Sequence, residues 1–273
     1  MLYLCATPIG NLGDITLRVI DTLRTCDAVY CEDTRHTLGL LNHLEIKKPL
    51  ISCHQHNERA RADEVATLLS DGKNVVYVSD AGMPGISDPG AVLLEMCIAR
   101  KLPFTVLPGA SAVLTAAVLS GLPSQPFTFF GFLPRETQDA KVVLAQIASC
   151  GHLAILYESP QRVQKTLLAL QNVCGDCQGA VLRELTKKFE DVQRGTLSQL
   201  STFYEVPPRG ECVLAIYCKH EQATATEADL DGALRTAFSS GQSVRDAAAL
   251  VTTALHLPKK QVYARALSLS KEE

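Results

Sequence analysis

The feature that most constrains the fold is a twelve-residue segment at 79–90 with the sequence SDAGMPGISDPG. It contains three glycines, two prolines and two aspartates, and it lies between an apolar run at 74–78 and an amphipathic run at 91–99. Glycine permits left-handed backbone conformations and close approach of a ligand, while proline stiffens the loop. A strand-to-helix turn of this composition is typical of a ligand site in an α/β protein, although an ordinary tight turn would also use these residues.

The N-terminal part of the chain alternates apolar and amphipathic runs. The apolar runs predict strands at 2–6, 28–31, 50–53, 74–78 and 104–107. The amphipathic runs predict helices at 15–23, 37–44, 59–69, 91–99 and 113–119. This rhythm predicts a mostly parallel sheet with helices packed on it, in a first domain at 1–120.

The pattern changes after a predicted linker at 121–126, GLPSQP. Strands are predicted at 127–131, 152–157, 180–185, 192–196 and 211–217, with helices at 140–148 and 163–171. Strands that follow one another this directly predict a mixed or antiparallel sheet in a second domain at 121–220. A polar linker at 220–229 then leads to a small helical domain at 228–273, with helices at 230–238, 244–255 and 259–267 started by Ser243 and Pro258.

Composition narrows the class of protein. No window approaches the roughly 18 apolar residues of a membrane span, and the start of the chain does not read as a signal peptide, so we expect a cytoplasmic protein. The ten cysteines are scattered through apolar runs. Cys174 and Cys177 form a CxxC motif without further ligands nearby in sequence, so no metal site is predicted. The net charge of −3 weighs against broad nucleic-acid binding but leaves room for a local basic patch.

Several familiar enzyme motifs are missing from the sequence. It has no GxxxxGK[ST] phosphate loop, no GxGxxG after the first strand, no HExxH and no GxSxG. Three other turns follow predicted parallel strands instead: TPIGNLGD at 7–14, the segment at 79–90, and PGASA at 108–112. Because such strand ends share one edge of a sheet, we expect the three turns to converge on a cleft for a polar cofactor.

Seven motifs in order carry a resemblance to a known family. They are TPIGNLGDIT at 7–16, CEDTRHT at 31–37, VSDAGMPGISDPG at 78–90, LPGASA at 107–112, FFGFLPR at 129–135, YESPQR at 157–162 and RELTKKFEDVQRGTL at 183–197. Together they resemble the ribosomal RNA small-subunit methyltransferase I family, which are 2′-O-methyltransferases of the tetrapyrrole-methylase superfamily. One position departs from the expected pattern, because Phe189 stands where a histidine or similar polar residue is expected.

The resemblance implies a fold, a cofactor and a substrate. The fold is two α/β domains of the tetrapyrrole-methylase type (class III methyltransferases), with S-adenosylmethionine bound between them, followed by the small C-terminal helical domain. The family usually works as a homodimer. Its substrate is the ribose of a cytidine in the decoding region of 16S ribosomal RNA, which we expect to be presented within the small ribosomal subunit.

The resemblance also assigns cofactor-binding residues. They are Pro8, Gly82, Met83, Pro84, Asp88, Ser111, Ala112, Tyr157 and Leu185, with Glu158 beside them. Some of these residues have simpler explanations: turn geometry would account for Gly82 and Pro84, and packing for Ala112. Asp88 would equally serve as a helix N-cap, with Pro89 in the first helical position.

Two charged clusters are candidates for the proton transfer, and the sequence does not choose between them. In the first, Glu32 or Asp33 would act as the general base and Arg35 would hold a phosphate; an ion pair with a helix cap is the alternative. In the second, Glu184 stands near Lys187, which could act as a base only if its pKa were depressed. A phosphate contact or a solvated surface lysine are the other uses of Lys187.

The C-terminal helices carry a separate indication of RNA binding. Between 245 and 271 the sequence has one acidic residue, Asp246, and five basic residues. The basic residues are Arg245, Lys259, Lys260, Arg265 and Lys271. Such a patch suits phosphate contacts, although a solvated helical face is also possible. Two rivals to the RNA methyltransferase remain open: a methyltransferase for a small molecule such as a tetrapyrrole, and a nonenzymatic ribosome-assembly factor.

Overall fold

The computed structural model describes residues 1–218, 227–255 and 257–270. The chain forms two compact units, Met1–Cys218 and Lys219–Glu273. The first unit contains two five-stranded sheets, and the second contains helices.

The first sheet is wholly parallel, with the strand order β3-β2-β4-β1-β5. Its strands are Leu2–Cys5 (β1), Ala28–Cys31 (β2), Leu50–Ser52 (β3), Val75–Val78 (β4) and Phe104–Leu107 (β5). Its helices are Leu17–Thr25 (α1), Thr34–His43 (α2), Glu58–Ser70 (α3), Ala91–Ala99 (α4) and Ala112–Leu119 (α5). Strands β2 and β4 are buried along their whole length, which explains why they read as continuous apolar runs.

Helix α2 begins three residues earlier than predicted, at Thr34 rather than Thr37. The cause is a cap: the Asp33 carboxylate accepts a hydrogen bond from the backbone N–H of Arg35 at 2.8 Å.

The second sheet is mixed, with the strand order β6-β7-β10-β8-β9. Its strands are Phe127–Phe132 (β6), Leu153–Glu158 (β7), Gln178–Arg183 (β8), Asp191–Thr196 (β9) and Cys212–Tyr217 (β10). Only β6 and β7 pair in parallel, so the prediction of a mixed sheet is confirmed. Its helices are Thr137–Ser149 (α6), Val163–Cys174 (α7) and Leu197–Phe203 (α8). The short helix α8 was not predicted, although its capping box, formed by Thr196 and Gln199, is visible in the sequence.

Helix α5 connects the two sheets through its packing. In the chain, α5 follows β5, the last strand of the first sheet. Its residues Val113, Ala116 and Ala117 nevertheless pack in one apolar cluster with residues of the second sheet, from β7, β8 and β10. Arg194 of β9 adds polar contacts, donating to the backbone oxygens of Ser120 and Leu119. Residues 120–126, between the sheets, contain no helix or strand.

The second unit consists of three helices in its described part. They are Glu227–Ser239 (α9), Val244–Leu255 (α10) and Lys259–Leu269 (α11), which enclose a core that includes Leu234, Val251 and Val262. Most of the linker predicted at 220–229 lies outside the described residues, and the remainder belongs to α9.

The cysteines and the helices bear on whether the protein binds a metal ion or spans a membrane. Cys218 lies close to the CxxC motif, with its Sγ 3.1 Å from that of Cys174. Among the residues that the structure describes, no group of three His, Cys, Asp or Glu side chains is placed to hold a metal ion. None of the helices in the described ranges has the length and apolar character needed to cross a membrane.

Candidate active site

The three glycine-rich turns at the carboxyl edge of the first sheet meet as predicted. Thr7 and Gly82 exchange two backbone hydrogen bonds, of 2.9 and 3.1 Å, which join the turn after β1 to the turn after β4. The turn after β5 lies against the end of β1, because a Cβ added to Gly109 would come within 2.8 Å of the Ala6 side chain. The carboxyl ends of β1, β4 and β5 therefore form one continuous surface.

A cavity of about 390 Å³ opens on this surface. Such a volume is typical of small-molecule sites. Of the residues predicted to bind the cofactor, seven line the cavity: Gly82, Met83, Asp88, Ser111, Ala112, Tyr157 and Leu185. Glu158 lines it as well, whereas Pro8 and Pro84 do not belong to its lining.

The alternative role of Asp88 as a helix cap is wrong. Helix α4 has Gly90 as its N-cap, and no side chain caps it. Asp88 lines the cavity instead, and burial raises the pKa of its carboxyl group, an effect that a hydrogen bond from Ser79 opposes. Ser111, by contrast, does cap α5, by accepting a bond of 3.4 Å from Leu114 N–H.

Sequence reasoning missed the residue that holds the long turn in place. The carboxylate of Glu58, at the start of α3, is only 6% exposed and accepts a hydrogen bond of 2.7 Å from Gly90 N–H. Gly90 lies in the left-handed region, with φ of 133°, and an added Cβ would lie 3.2 Å from the Tyr77 ring. A buried acid six residues after a strand end, as Glu58 is, could not be recognised from sequence without knowing which residue it contacts.

The opposite wall of the cavity comes from the second sheet. Strand β10 is antiparallel to both β7 and β8, so its first residue, Cys212, lies beside Glu158 and Arg183 at their carboxyl ends. Gly210, Glu211, Cys212 and Val213 consequently line the cavity, and none of them was predicted. The signal was available in principle, since an antiparallel strand begins where its neighbours end.

Glu158 is held within a network of hydrogen bonds. Its fully buried carboxylate accepts bonds from Thr166 Oγ1 at 2.6 Å and Ser159 N–H at 2.8 Å, and it pairs with Arg162 at 3.4 Å. Arg162 in turn donates to the backbone oxygen of Leu133 at 2.7 Å. The network fixes the end of β7 relative to the segment that follows β6.

In the first charged cluster, Asp33 forms an ion pair, whereas Glu32 accepts a backbone hydrogen bond from Asp80. Burial raises the pKa of the Glu32 carboxyl group, and the charges of Asp80 and Asp88 raise it further. Asp33 caps α2 and also forms an ion pair of 2.6 Å with Arg35, which lowers the pKa of Asp33 to about 2. The ion pair with a helix cap, considered as the alternative, is therefore what the structure shows for Asp33 and Arg35.

The second charged cluster is a closed ion-pair network. Lys187 Nζ lies 2.8 Å from both Glu184 Oε1 and Glu211 Oε2. Burial lowers the pKa of Lys187, but the two carboxylates outweigh it, so this pKa lies above its ordinary value. The bond from Lys187 lowers the pKa of Glu184. The depressed lysine pKa that base catalysis by Lys187 requires is absent.

Two glycines make room for this network. A Cβ on Gly10 would lie 2.4 Å from Lys187 Cγ, and one on Gly210 would lie 2.3 Å from Glu184 Oε1. The turn after β1 thus packs directly against the loop that follows β8.

The predicted RNA-binding residues differ in their environments. Arg245, Lys259 and Lys260 are exposed on α10 and α11, whereas Arg265 forms an ion pair with Asp231 and is half-buried. Lys271 lies outside the described residues.

Comparison with known proteins identifies the family. Residues 1–201 match the family of tetrapyrrole (corrin/porphyrin) methylases, and residues 224–270 match the RsmI C-terminal HTH domain. A ribosomal RNA small subunit methyltransferase I from Synechocystis is 40% identical over 273 residues, covering 98% of each chain. The chain belongs to the ribosomal RNA small subunit methyltransferase I family. Another member, from Bacillus subtilis, is 39% identical and spans 96% of this chain and 92% of its own.

Solved structures confirm the class of fold. Diphthine synthase superposes with a TM-score of 0.62 at 15% identity, covering 80% of this chain and 89% of its own. Uroporphyrin-III C-methyl transferase from Thermus thermophilus, solved with S-adenyl homocysteine, gives a TM-score of 0.56 at 15% identity, covering 78% and 96%. The family's fold is therefore two α/β halves of the tetrapyrrole-methylase type, followed by the helical domain.

The cofactor predicted from the sequence, S-adenosylmethionine, agrees with membership of this methyltransferase family. The cavity also fits it chemically. Apolar side chains such as Ile9 and Val213 suit the flat base and methylene chain, and the Asp88 carboxylate suits a positive sulfonium. Gly82 lines the cavity with φ of 79°, a conformation that favours glycine, while its N–H and oxygen are both bonded to Thr7.

Proposed function

We propose that this protein transfers a methyl group from S-adenosylmethionine to the ribose 2′-hydroxyl of a cytidine in the decoding region of 16S ribosomal RNA. The observation that carries the proposal is near-full-length similarity to proteins named ribosomal RNA small subunit methyltransferase I, in a chain whose cavity has the predicted cofactor residues on its walls. The substrate would be the assembled small ribosomal subunit, because the conformation of a ribose in the decoding site depends on the folded particle. The reaction would take place in the cytoplasm.

The cofactor would be held from both halves of the first unit. Gly82, Met83 and Asp88 contribute from the turn after β4, Ser111 and Ala112 from the start of α5, and Tyr157 and Leu185 from the second sheet. Bound S-adenosylmethionine supplies an activated methyl group on a positive sulfonium. The protein's contribution is to orient the acceptor hydroxyl in line with that group.

We assign the general base to Glu32. A ribose hydroxyl is a poor nucleophile, so a carboxylate that takes its proton assists the reaction. Glu32 has a raised pKa, and among the described residues no cation donates a hydrogen bond to it, unlike Asp33 and Glu184. Its carboxylate is close enough to Asp88, on the cavity wall, for the two charges to interact.

The RNA contacts would include residues of both units. Arg35, which is 90% exposed, lies beside Glu32 and can reach a phosphate while it remains paired with Asp33. Arg245, Lys259 and Lys260 are exposed and suited to backbone phosphates. Arg265 would act mainly through its ion pair with Asp231, as a structural residue of the helical unit.

We infer that the active form is a homodimer. Helix α5 exposes Leu114 and Val118, which are 56% and 78% accessible and lie one helical turn apart. Apolar side chains at this spacing on a helix beside the active site are typical of a subunit interface.

Methyl transfer to isolated small subunits tests the function. The protein is incubated with radiolabelled S-adenosylmethionine and subunits lacking the modification, and the RNA is then hydrolysed in alkali and analysed by mass spectrometry. A hydrolysis-resistant dinucleotide containing one methylated cytidine is the expected product. Cofactor binding without transfer to RNA would favour a small-molecule methyltransferase, and subunit binding without cofactor binding would favour an assembly factor.

A further inference from the structure

Phe189 is an aromatic side chain with no place in the protein's core. It is 66% exposed, and it lies on the loop after β8, four residues beyond Leu185, which lines the cofactor cavity. Exposing a ring of this size forfeits the hydrophobic stabilisation that burial would provide. An exposed ring on a loop that also contributes to the cavity wall suits contact with another molecule.

The loop that displays Phe189 is rigidly held. Lys187 N–H donates to the Glu184 oxygen at 3.0 Å, Glu190 N–H donates to the Lys187 oxygen at 3.1 Å, and the Glu190 carboxylate accepts from Thr186 N–H at 2.7 Å. Glu184 and Thr186 both have positive φ, of 53° and 65°. Two such residues persist only where the surroundings fix them, so the loop presents the ring in a defined place.

A cation lies next to the ring. Lys188 is exposed, and its Nζ lies 5.6 Å from the centre of the Phe189 ring. Neither residue takes part in the closed network of Lys187 with Glu184 and Glu211. Among the described residues no carboxylate forms an ion pair with Lys188, and a planar ring beside such a cation matches an unstacked base beside its phosphate.

We propose that Phe189 is a stacking platform for an unpaired base of the substrate RNA, with Lys188 contacting the neighbouring phosphate. The proposal rests on the proposed function, since it requires RNA at the cofactor cavity. Methylation of a ribose in folded RNA requires the target strand to be held splayed against the protein, and single-stranded RNA is recognised by stacking on aromatic side chains.

The test compares variants at Phe189 with a matched exposed phenylalanine. Phe203 at the end of α8 is 61% exposed and lies on a different element from Phe189, so Phe203→Ala controls for loss of a surface ring. Phe189→Ala and Phe189→Leu remove the aromatic face, and Phe189→Trp restores it. Binding of unmodified small subunits is measured by filter retention with S-adenosylhomocysteine present, beside calorimetric affinity for S-adenosylmethionine and the KM for subunits.

We expect Phe189→Ala and Phe189→Leu to weaken subunit binding and raise KM by about tenfold, the loss of one base-stacking contact. Phe189→Trp and Phe203→Ala should stay within about twofold of the wild type, and the affinity for S-adenosylmethionine should not change in any variant. Lys188→Ala should reduce the slope of subunit affinity against salt concentration by the amount expected for about one phosphate contact.

Three results would overturn the stacking role. They are unchanged subunit binding in Phe189→Ala, full retention by Phe189→Leu, or a change of oligomeric state in Phe189→Ala seen by light scattering, which would assign the ring to a protein interface. The measurement of subunit binding distinguishes a failure of this proposal from a failure of the proposed function. Wild-type protein that binds subunits through Phe189 without methylating them would contradict the proposed reaction and leave the stacking role standing, whereas wild-type protein that does neither would remove both.

Discussion

The two charged clusters look alike in sequence but differ in how their charges are compensated. Around Lys187, two carboxylates and one ammonium form a closed set of hydrogen bonds, and the pKa of Glu184 falls as a result. Around Glu32, the nearby charges are the like charges of Asp80 and Asp88, and its pKa rises. A compensated network supports structure, whereas a carboxylate that holds its proton more tightly is suited to proton transfer.

Replacing Glu32 should have the largest effect on catalysis. We expect Glu32→Gln to lower kcat by about a hundredfold or more, the usual contribution of a general base, while affinity for S-adenosylmethionine stays unchanged. Asp33→Asn is the matched control, because asparagine also caps helices and this position is already paired with Arg35. Single-turnover methylation of small subunits measures both. Equal losses in the two variants would remove the distinction between Glu32 and its neighbour.

The pH dependence of the reaction sharpens the same point. A base must be deprotonated to act, so kcat should rise with pH and level off above the pKa of Glu32. Because that pKa is raised above its ordinary value of 4.5, the rise should lie at higher pH than for an unperturbed glutamate, and it should vanish in Glu32→Gln. A rise that persists in the variant would assign the titration to another group, with Asp88 the first to examine.

Gly210→Ala tests the compensated cluster through its packing. The new Cβ would lie 2.3 Å from Glu184 Oε1 at a residue with φ of 88°. Gly72→Ala is the control, since Gly72 also has positive φ but no neighbour within 4 Å. We expect Gly72→Ala to lower the free energy of unfolding by about 1 kcal/mol and Gly210→Ala by about 2–4 kcal/mol. Urea unfolding measures the difference, and equal values would mean that Glu184 moves aside freely.

Lys187→Met should alter how stability depends on pH. The pKa of Glu184 is below its ordinary value of 4.5, so its ion pair stabilises the fold above that value and is lost as pH falls through the lower, folded pKa. Removing the ammonium returns the pKa of Glu184 towards normal. The destabilisation by Lys187→Met, measured by urea unfolding, should therefore be greatest near neutral pH and shrink below pH 4.5. A constant difference across this range would show that Lys187 stabilises through its methylenes alone.

Arg35→Ala should have the smallest effect. Its ion pair with Asp33 lies in solvent, so thermal unfolding should not change measurably. If Arg35 meets a phosphate, subunit binding should weaken at low salt and the slope of affinity against salt should fall by about one contact. Arg24→Ala, which removes another exposed cation paired with an aspartate, provides the comparison.

The sequence predicted the strands and the first half of the cavity well, for identifiable reasons. Buried parallel strands such as Val75–Val78 must be apolar throughout, so their bounds can be read directly. The turns that follow them share one sheet edge by topology, which brings Gly82 and Ser111 to one cavity without knowledge of side-chain contacts.

The missed parts depend on contacts between distant residues. Glu58 is recognisable only through its bond to Gly90, and the entry of β10 into the cavity only through its antiparallel pairing. The different environments of Glu32 and Asp33 likewise depend on which carboxylate pairs with Arg35. Helix α8 was missed because seven residues are too few for a clear periodic pattern.

The packing of α5 has a consequence for how the first unit folds. Val113, Ala116 and Ala117 reach their burial partners only after the chain has added β7, β8 and β10, more than thirty residues further on. A nascent chain that stops after α5 would carry an uncovered apolar helix. The two sheets should therefore melt in one cooperative transition, and a fragment cut between them should aggregate, because each half would expose its part of the cluster that the two halves share.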